Sequence, residues 1–124
     1  MKYLGLTLFA LLAGSTAASA APPADPAAGA LVFKKCAACH SLDPTGKSGL
    51  GPNLRGVVNR KAAAVPAFAY SPAMKATGGT WSRARLAAFI GDPKKTVPGT
   101  KMAFAGLKNP AEAAAVADYL LKLR

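Results

Sequence analysis

Cys36-Ala37-Ala38-Cys39-His40 is the most informative stretch of the sequence, because it holds both cysteines and the single histidine of the chain. On a helical turn, residues at positions i, i+3 and i+4 share one face, so the two thiols and the imidazole point the same way. Two thiols so placed can add to the two vinyl groups of one haem, while the adjacent imidazole reaches the iron. The pentapeptide therefore predicts covalent attachment of one c-type haem.

Three other kinds of site could use the same residues. A redox-active disulfide of the thioredoxin kind needs a βαβ context, and the sequence shows no strand pattern. A structural zinc site needs four ligands, whereas Cys36, Cys39 and His40 supply three. A plain disulfide between residues i and i+3 is sterically awkward and leaves His40 unexplained. The sequence therefore favours haem attachment over these alternatives.

The sixth position of a haem iron bound by one histidine needs a second ligand, and two methionines are available for it beyond the first residue of the chain. Met102 follows the stiff stretch Pro98-Gly99-Thr100-Lys101, which could hold a thioether at a fixed distance. Met74 lies in residues 71–75, which are expected to form a softer loop. Methionine usually fills cores, but the shortage of other ligands favours a ligand role here. Met102 is the preferred candidate.

Residues 1–20 have the pattern of a secretory signal peptide. Lys2 precedes an apolar run over residues 3–13, and Ala18-Ser19-Ala20 is an A-x-A cleavage signal. This run is shorter than the roughly 20 residues that a membrane span needs, which disfavours the alternative of an uncleaved anchor. We expect cleavage after Ala20, export to the periplasm, and one soluble domain over residues 21–124 without stable membrane insertion.

The composition limits what this domain can be. The chain contains 29 alanines but only seven valines and isoleucines together, so bulky core residues are scarce and an all-β fold is disfavoured. A short, alanine-rich chain buries only a thin core by itself. A large non-protein group is therefore expected to complete the core of this domain. The composition excludes a large enzyme, a transmembrane protein and a disulfide-rich scaffold.

The charge of the chain is strongly positive, at +11, and falls only to +10 without the leader. An exported protein rarely meets nucleic acid, and no basic helix with interleaved aromatic residues is present, so no nucleic-acid binding is expected. The acidic surface of a redox partner suits the charge better, although a solvated basic surface without a docking role is the alternative. The candidate docking residues are Lys34, Lys35, Lys94, Lys95 and Lys101.

Caps and apolar spacing predict three main helices separated by long loops. Asp25-Pro26, an N-cap followed by proline in the first turn, predicts a helix over about 26–39. Further helices are expected over about 82–90 and 110–123. Residues 41–80 are rich in glycine and proline, and so long an irregular segment makes sense if it wraps around a large ligand.

The motifs together resemble those of the class I cytochromes c, specifically the mitochondrial type and its soluble bacterial relatives. The similarity covers residues 25–124, and residues 36–102 fit the mitochondrial pattern without a gap. C-x-x-C-H alone occurs in many haem proteins, but the combination at these separations is highly specific. The matching pieces are C-A-A-C-H at 36–40, G-P-N-L at 51–54, Arg60-Lys61, Tyr70, Thr80-Trp81, P-K-K at 93–95, P-G-T-K-M at 98–102 and F-A-G at 104–106.

The resemblance implies an all-α fold of the class I cytochrome c type, with three main helices and long loops around one covalently bound haem. It implies that His40 and Met102 are the axial iron ligands, and that the Pro52 carbonyl accepts a hydrogen bond from the far imidazole nitrogen of His40. Thr100 is expected to support the methionine loop. The residues expected to hydrogen-bond a haem propionate are Arg60, Tyr70 and Trp81.

The same resemblance implies that Gly29 and Phe33 on the first helix cross the Tyr119 face of the last. Two positions depart from the mitochondrial pattern. Phe89 stands where mitochondrial members carry a tyrosine close to the ligand sulfur, and Met74 stands where they usually carry an asparagine near a buried water. These changes affect the polar network behind Met102, and with it the redox potential.

The expected function is that of a small, monomeric, periplasmic one-electron carrier between redox complexes, and not that of an enzyme. Methionine ligation and an apolar pocket favour the ferrous state and a relatively high potential. A haem enzyme or gas sensor with an open distal side is the main rival, and a subunit domain of a larger complex is another. A respiratory oxidase, a photosynthetic reaction centre and a dissimilatory reductase all remain open as partners.

Overall fold

The computed structural model describes Gly14 and residues 25–124. The predicted signal peptide lies outside the described residues except for Gly14, and its cleavage site lies wholly outside them. Within residues 25–124 the backbone forms no strand, only an isolated antiparallel bridge between Lys61 and Thr80. No helix in this range is both long and apolar enough to span a membrane. The helices are α1 (Pro26–Phe33), α2 (Pro72–Thr77), α3 (Arg83–Gly91), α4 (Pro93–Thr96) and α5 (Pro110–Leu121).

The first helix, α1, starts as predicted but ends at Phe33, well before the predicted end near Cys39. The Asp25 carboxylate caps its start by accepting a hydrogen bond of 2.9 Å from the Ala27 amide. After Phe33 the backbone tightens, because Lys35 and Cys36 donate to carbonyls three rather than four residues back. The haem-motif segment therefore forms separate turns that follow α1 and does not continue it.

Two short helices lie where the sequence predicts irregular chain. Ser71 caps α2 by accepting a hydrogen bond of 3.1 Å from the Met74 amide, and Pro72 occupies the first turn. Asp92 caps the single turn α4 in the same way, accepting from the Lys95 amide at 3.2 Å. Both helices begin with a cap followed by proline, which is the signature that correctly predicted α1 and α5. The prediction of loops at these two places is therefore wrong.

Helices α1, α3 and α5 pack together, and α5 is central because it contacts both of the others. Gly29 of α1 lies against the backbone of α5, and the Phe33 ring lies 5.7 Å from that of Tyr119, so the crossing expected from the resemblance is present. Leu31, one of three consecutive apolar residues near the end of α1, is 66% exposed. A bidentate contact from Arg83 to the Asp118 carboxylate joins α3 to α5.

The segment between the haem motif and α2 is held by bonds from side chains to backbone. The Asn53 side chain, 3% exposed, donates to the carbonyls of Asp43 and Lys47 at 3.0 Å each and accepts from the Arg55 amide. One guanidinium nitrogen of Arg60 donates to the Asn53 carbonyl at 2.9 Å. An irregular segment needs such partners because its buried backbone groups have no helix or sheet to satisfy them.

The crossing of α1 and α5 generates a prediction for Gly29→Ala. A methyl group at this position would overlap the Ala115 carbonyl and approach Tyr119 Cβ to 2.8 Å, so the two helices must separate. We expect the free energy of unfolding to fall by about 3 kcal/mol, although alanine is the better helix former.

Gly91→Ala is the matched control in urea unfolding monitored by circular dichroism. A methyl group at the end of α3 meets only the Leu107 carbonyl, at an ordinary 3.8 Å, so the stability of this variant should stay equal or rise slightly. Equal stabilities for the two variants would show that the helices do not depend on close approach at Gly29.

Candidate haem site

An apolar cavity of about 420 Å³ lies inside the fold, within the roughly 300–1,000 Å³ typical of cofactor sites. Its wall combines the haem-motif turn, the irregular segment, α3, α5 and the methionine loop. Every site residue proposed from the sequence lines it. These residues are Cys36, Cys39, His40, Pro52, Arg60, Tyr70, Trp81 and Met102.

The two cysteines and His40 occupy one turn of backbone. The amides of Cys39 and His40 both donate to the Cys36 carbonyl, at 3.0 and 2.9 Å, so the three side chains are brought to the same part of the cavity. Both thiols are free. Burial, with a smaller contribution from the neighbouring Cys39, raises the pKa of the Cys36 thiol. The shared face predicted from the spacing is therefore present on this isolated turn.

The His40 ring is fixed from behind by the segment that carries the G-P-N-L motif. Its Nδ1 lies 2.8 Å from the Pro52 carbonyl oxygen, and because a carbonyl can only accept, Nδ1 carries the proton. Burial lowers the pKa of His40, against the opposing effect of this hydrogen bond. A neutral ring protonated at Nδ1 leaves the Nε2 lone pair available for a metal.

Gly51 allows this close approach. A side-chain carbon at position 51 would lie 2.7 Å from His40 Nδ1 and 2.9 Å from Nε2, inside the contact distance of any carbon. The Gly51 amide donates to the Cys39 carbonyl at 2.8 Å, which ties the two segments together. Any larger residue would therefore displace the imidazole.

Met102 lies at the end of a tight turn. The Thr100 amide donates to the Val97 carbonyl at 3.0 Å, and Gly99 adopts φ of +88°, the conformation that a type II turn requires at this position. The Thr100 hydroxyl then accepts a hydrogen bond of 3.3 Å from the Met102 amide. The support of the methionine loop by Thr100, expected from the resemblance, is thus present in the structure.

Met74 also lines the cavity, but it does so from α2 and not from the soft loop that the sequence predicted. Its amide is bound by the Ser71 cap. Both methionines therefore come from well-supported backbone, so rigidity alone does not separate them as ligands. Phe89, the second departure from the mitochondrial pattern, is 6% exposed and lines the same cavity.

Arg60, Tyr70 and Trp81 supply polar groups to the cavity wall. Arg60 Nε is buried without a hydrogen-bond partner within the described residues, and burial lowers the pKa of this guanidinium. The Tyr70 hydroxyl oxygen accepts from the Val65 amide at 3.0 Å, which leaves its proton to donate. An anionic carboxylate such as a haem propionate would satisfy these donors. The residues present therefore fit a haem.

Sequence reasoning missed part of the cavity wall. Ser71 is 7% exposed and reaches the cavity although its hydroxyl also caps α2, and the cap-proline pair at 71–72 was its available signal. The other missed residues are apolar and carry no local signal that separates a cavity wall from ordinary core. They include Phe33, Val57, Leu86, Ile90, Phe104, Val116 and Leu120.

Comparisons with known proteins agree with this site. The family model described as Cytochrome c matches residues 26–124. Cytochrome c2 of Rhodoblastus acidophilus is 50% identical over 100 residues, which cover 81% of this chain and 94% of that protein. Cytochrome c2 iso-1 of Magnetospirillum molischianum is 49% identical over 105 residues, covering 83% and 96%.

A solved structure resembles the chain in three dimensions as well. Cytochrome cH from Methylobacterium extorquens superposes with a TM-score of 0.73 at 44% sequence identity. The match covers 78% of this chain and 97% of that one. The all-α class I cytochrome c fold expected from the motifs is therefore confirmed.

The two methionines on the cavity wall generate a prediction about the iron ligand. Met102→Ala should abolish the weak near-red sulfur-to-iron absorption band of the ferric protein. It should also lower the reduction potential, because a thioether ligand favours the ferrous state, and let the ferrous iron bind carbon monoxide. Optical spectra and a redox titration measure all three effects.

Met74→Ala is the matched control, since it removes a thioether from the same cavity. The absorption band and the six-coordinate iron should remain, with at most a small shift in potential from altered packing. Loss of the band in Met74→Ala but not in Met102→Ala would reverse the ligand assignment.

Proposed function

The chain belongs to the cytochrome c family, and from this premise we propose that it is a periplasmic one-electron carrier that moves electrons between larger redox complexes. Its relatives named cytochrome c2 support the role of an electron carrier and not that of an enzyme. One observation carries the proposal: the two candidate axial ligands and both cysteines line a single apolar cavity.

The chain binds one covalent haem c, as its family does, and we propose thioether bonds at Cys36 and Cys39 with His40 and Met102 as axial ligands. The haem, when bound, supplies a couple that gains or loses one electron. The residues around the haem limit the structural change that accompanies electron transfer. Pro52 fixes the His40 ring, and the Thr100 hydroxyl supports the backbone of Met102, so few atoms need to move when the charge changes.

The cavity wall favours the reduced state. Leu86 and Phe89 are 4% and 6% exposed and line the cavity, and an apolar environment disfavours the extra positive charge of ferric iron. Phe89 also places a ring without a hydroxyl on this wall. If His40 and Met102 both bind the iron as proposed, no position on it would remain for oxygen or peroxide, which would separate a carrier from a haem enzyme or gas sensor.

Docking through lysines is the proposed route to the partner. The five lysines named from the sequence are all exposed, and Lys35 and Lys101 line the cavity as well. Lys101 differs from the others, because its ammonium donates to the Ala69 carbonyl and lies 5.3 Å from the centre of the Phe68 ring. Its charge can still steer a partner, but its side chain also links the methionine loop to residues 68–69.

Lys35 is also partly engaged. Its ammonium lies 3.9 Å from the Glu112 carboxylate, with both side chains well exposed, and such a pair contributes little to stability. Lys94 and Lys95 lie in the last turn of α4, directly before the methionine loop. We therefore assign the strongest steering to Lys94 and Lys95, with an acidic surface as the partner. A signal peptide over residues 1–20, cleaved after Ala20, would deliver residues 21–124 to the periplasm as a monomer.

The attachment of haem is the first test of this function. The purified protein should have the mass of the polypeptide plus one haem, and the colour should stay with the chain in acidified organic solvent. Cys36→Ala should keep one thioether bond and Cys36→Ala/Cys39→Ala none, because each thiol supplies one bond. A wild-type mass equal to that of the bare polypeptide would contradict the proposal.

The docking role of α4 generates a second test. Lys95→Glu should slow electron transfer to an electrode coated with carboxylate groups by roughly fivefold at low ionic strength, and the rate should depend less on salt. Steering weakens because the reversed charge repels the acidic surface.

Lys122→Glu, at the C-cap of α5, is the matched control because it changes the net charge equally outside the proposed surface. Its rate should stay close to that of the unmodified protein. Equal slowing by both variants would mean that net charge alone, and not the α4 surface, governs association.

A further inference from the structure

Arg85 lies on α3 beside the cavity wall but outside the set of predicted haem contacts. It occupies the first turn of the helix, where the Ser82 hydroxyl accepts a hydrogen bond of 3.1 Å from its amide. Its guanidinium carbon lies 4.6 Å from the centre of the Trp81 ring, a distance typical of a cation–π contact. Trp81 itself lines the cavity, so Arg85 can act on the site through the indole.

The guanidinium is held in place by two further contacts. Nη1 donates to the Thr80 carbonyl at 3.1 Å, and Nη2 donates to the Thr77 hydroxyl at 3.2 Å. Gly79, with φ of +70°, leaves the space for it, because a side-chain carbon there would lie 2.9 Å from Nη1. A planar group bound at both ends of its fork has little freedom to leave the ring.

The orientation of the Trp81 indole depends on contacts with neighbouring side chains, because backbone hydrogen bonds do not fix the ring. Its backbone is fixed, since its amide donates to the Arg60 carbonyl at 2.8 Å and its carbonyl accepts from the Asn59 amide at 2.6 Å. The indole contacts the Phe89 ring, with centroids 5.1 Å apart, and is 6% exposed. Phe89 gives only apolar packing, whereas Arg85 adds a charged, oriented contact on the ring.

The charge of Arg85 is not cancelled locally. Within the described residues its side-chain partners are a carbonyl, a hydroxyl and an aromatic ring, all of them neutral. Arg83, two residues earlier on the same helix, instead pairs with the Asp118 carboxylate. A cation fixed near a redox centre stabilises the state with less positive charge, which is ferrous iron.

We propose that Arg85 is a positioning residue of the haem site: it fixes the Trp81 indole against the cavity, and its uncancelled charge raises the reduction potential of the bound haem. The inference deepens the proposed function and rests on it for the presence of haem. Neither effect requires contact between Arg85 and the haem.

The test compares Arg85→Gln with Arg83→Gln in the haem-containing protein. Trp81 is the only tryptophan of the chain, so its indole N–H gives one assignable signal in a nitrogen–proton NMR spectrum. Arg85→Gln should shift this signal and lower the reduction potential in a spectroelectrochemical titration. Arg83→Gln should lower the thermal midpoint, because it breaks the pair with Asp118, while the indole signal stays unchanged.

Arg85→Lys separates the two parts of the proposal and keeps the positive charge if the glutamine variant folds poorly. It should shift the indole signal, because an ammonium lacks the planar fork, but should retain most of the potential. A potential as low as that of Arg85→Gln would overturn the role of the charge.

An unshifted indole signal in both Arg85 variants would overturn the positioning role. An equal shift of the indole signal in Arg83→Gln would overturn the positioning role as well, since it would reflect a general loosening of α3. A failure of the proposed function is recognised separately, because the unmodified protein would then lack covalent haem.

Discussion

The apolar cavity that borders the buried core is the constraint on which the rest of the structure depends. Phe33, Val57 and Leu86 belong both to the buried core and to the cavity wall, so the core and the site are largely the same residues. Protein interiors are normally packed as densely as organic crystals. We therefore expect the haem to complete the packing of the chain, and whatever binds the folded state alone also stabilises it. For this reason we expect folding and haem binding to be coupled.

The parts of the site that the sequence predicted well are those that depend on local geometry. Cys36, Cys39 and His40 fit one turn whether or not that turn belongs to a longer helix, so an error about the end of α1 left the shared face intact. Caps were equally local, and Asp25 was correctly recognised at the start of α1. The start of α2 at Ser71-Pro72 was not predicted, because the glycines and prolines of 41–80 indicate loops and compete with the same cap pattern there.

The parts that sequence reasoning could not reach depend on contacts distant in the chain. Leu31 is as apolar as its neighbours in the chain, but the crossing of α1 with α5 turns Gly29 and Phe33 inward and leaves Leu31 exposed. The cation–π contact between Arg85 and Trp81 needs the turn at Gly79 to make room. No spacing rule encodes such contacts, because they arise only when the helix start and the preceding loop are placed together.

The surface is positive because acidic residues are few and each of them is engaged in a helix cap, a turn or an ion pair. All five acidic residues of the chain lie within the described residues, and the carboxylate of each has a hydrogen-bond or ion-pair partner. Asp25 and Asp92 cap helices, and Asp43 accepts from the amide and hydroxyl of Thr45. The remaining two, Glu112 and Asp118, each face one cation.

With every acid engaged in this way, most of the lysines and arginines within residues 25–124 have no salt-bridge partner. Of the three residues predicted to contact the haem propionates, only Arg60 is charged, since Tyr70 and Trp81 are neutral donors. Buried propionates would therefore neutralise the positive charge of Arg60 but of no other predicted contact. The excess thus lies on the outside of the molecule, where it would raise the rate of encounter with the proposed acidic partner without demanding a tight complex. A carrier that must leave one partner to reach the next needs that combination of fast association and modest affinity.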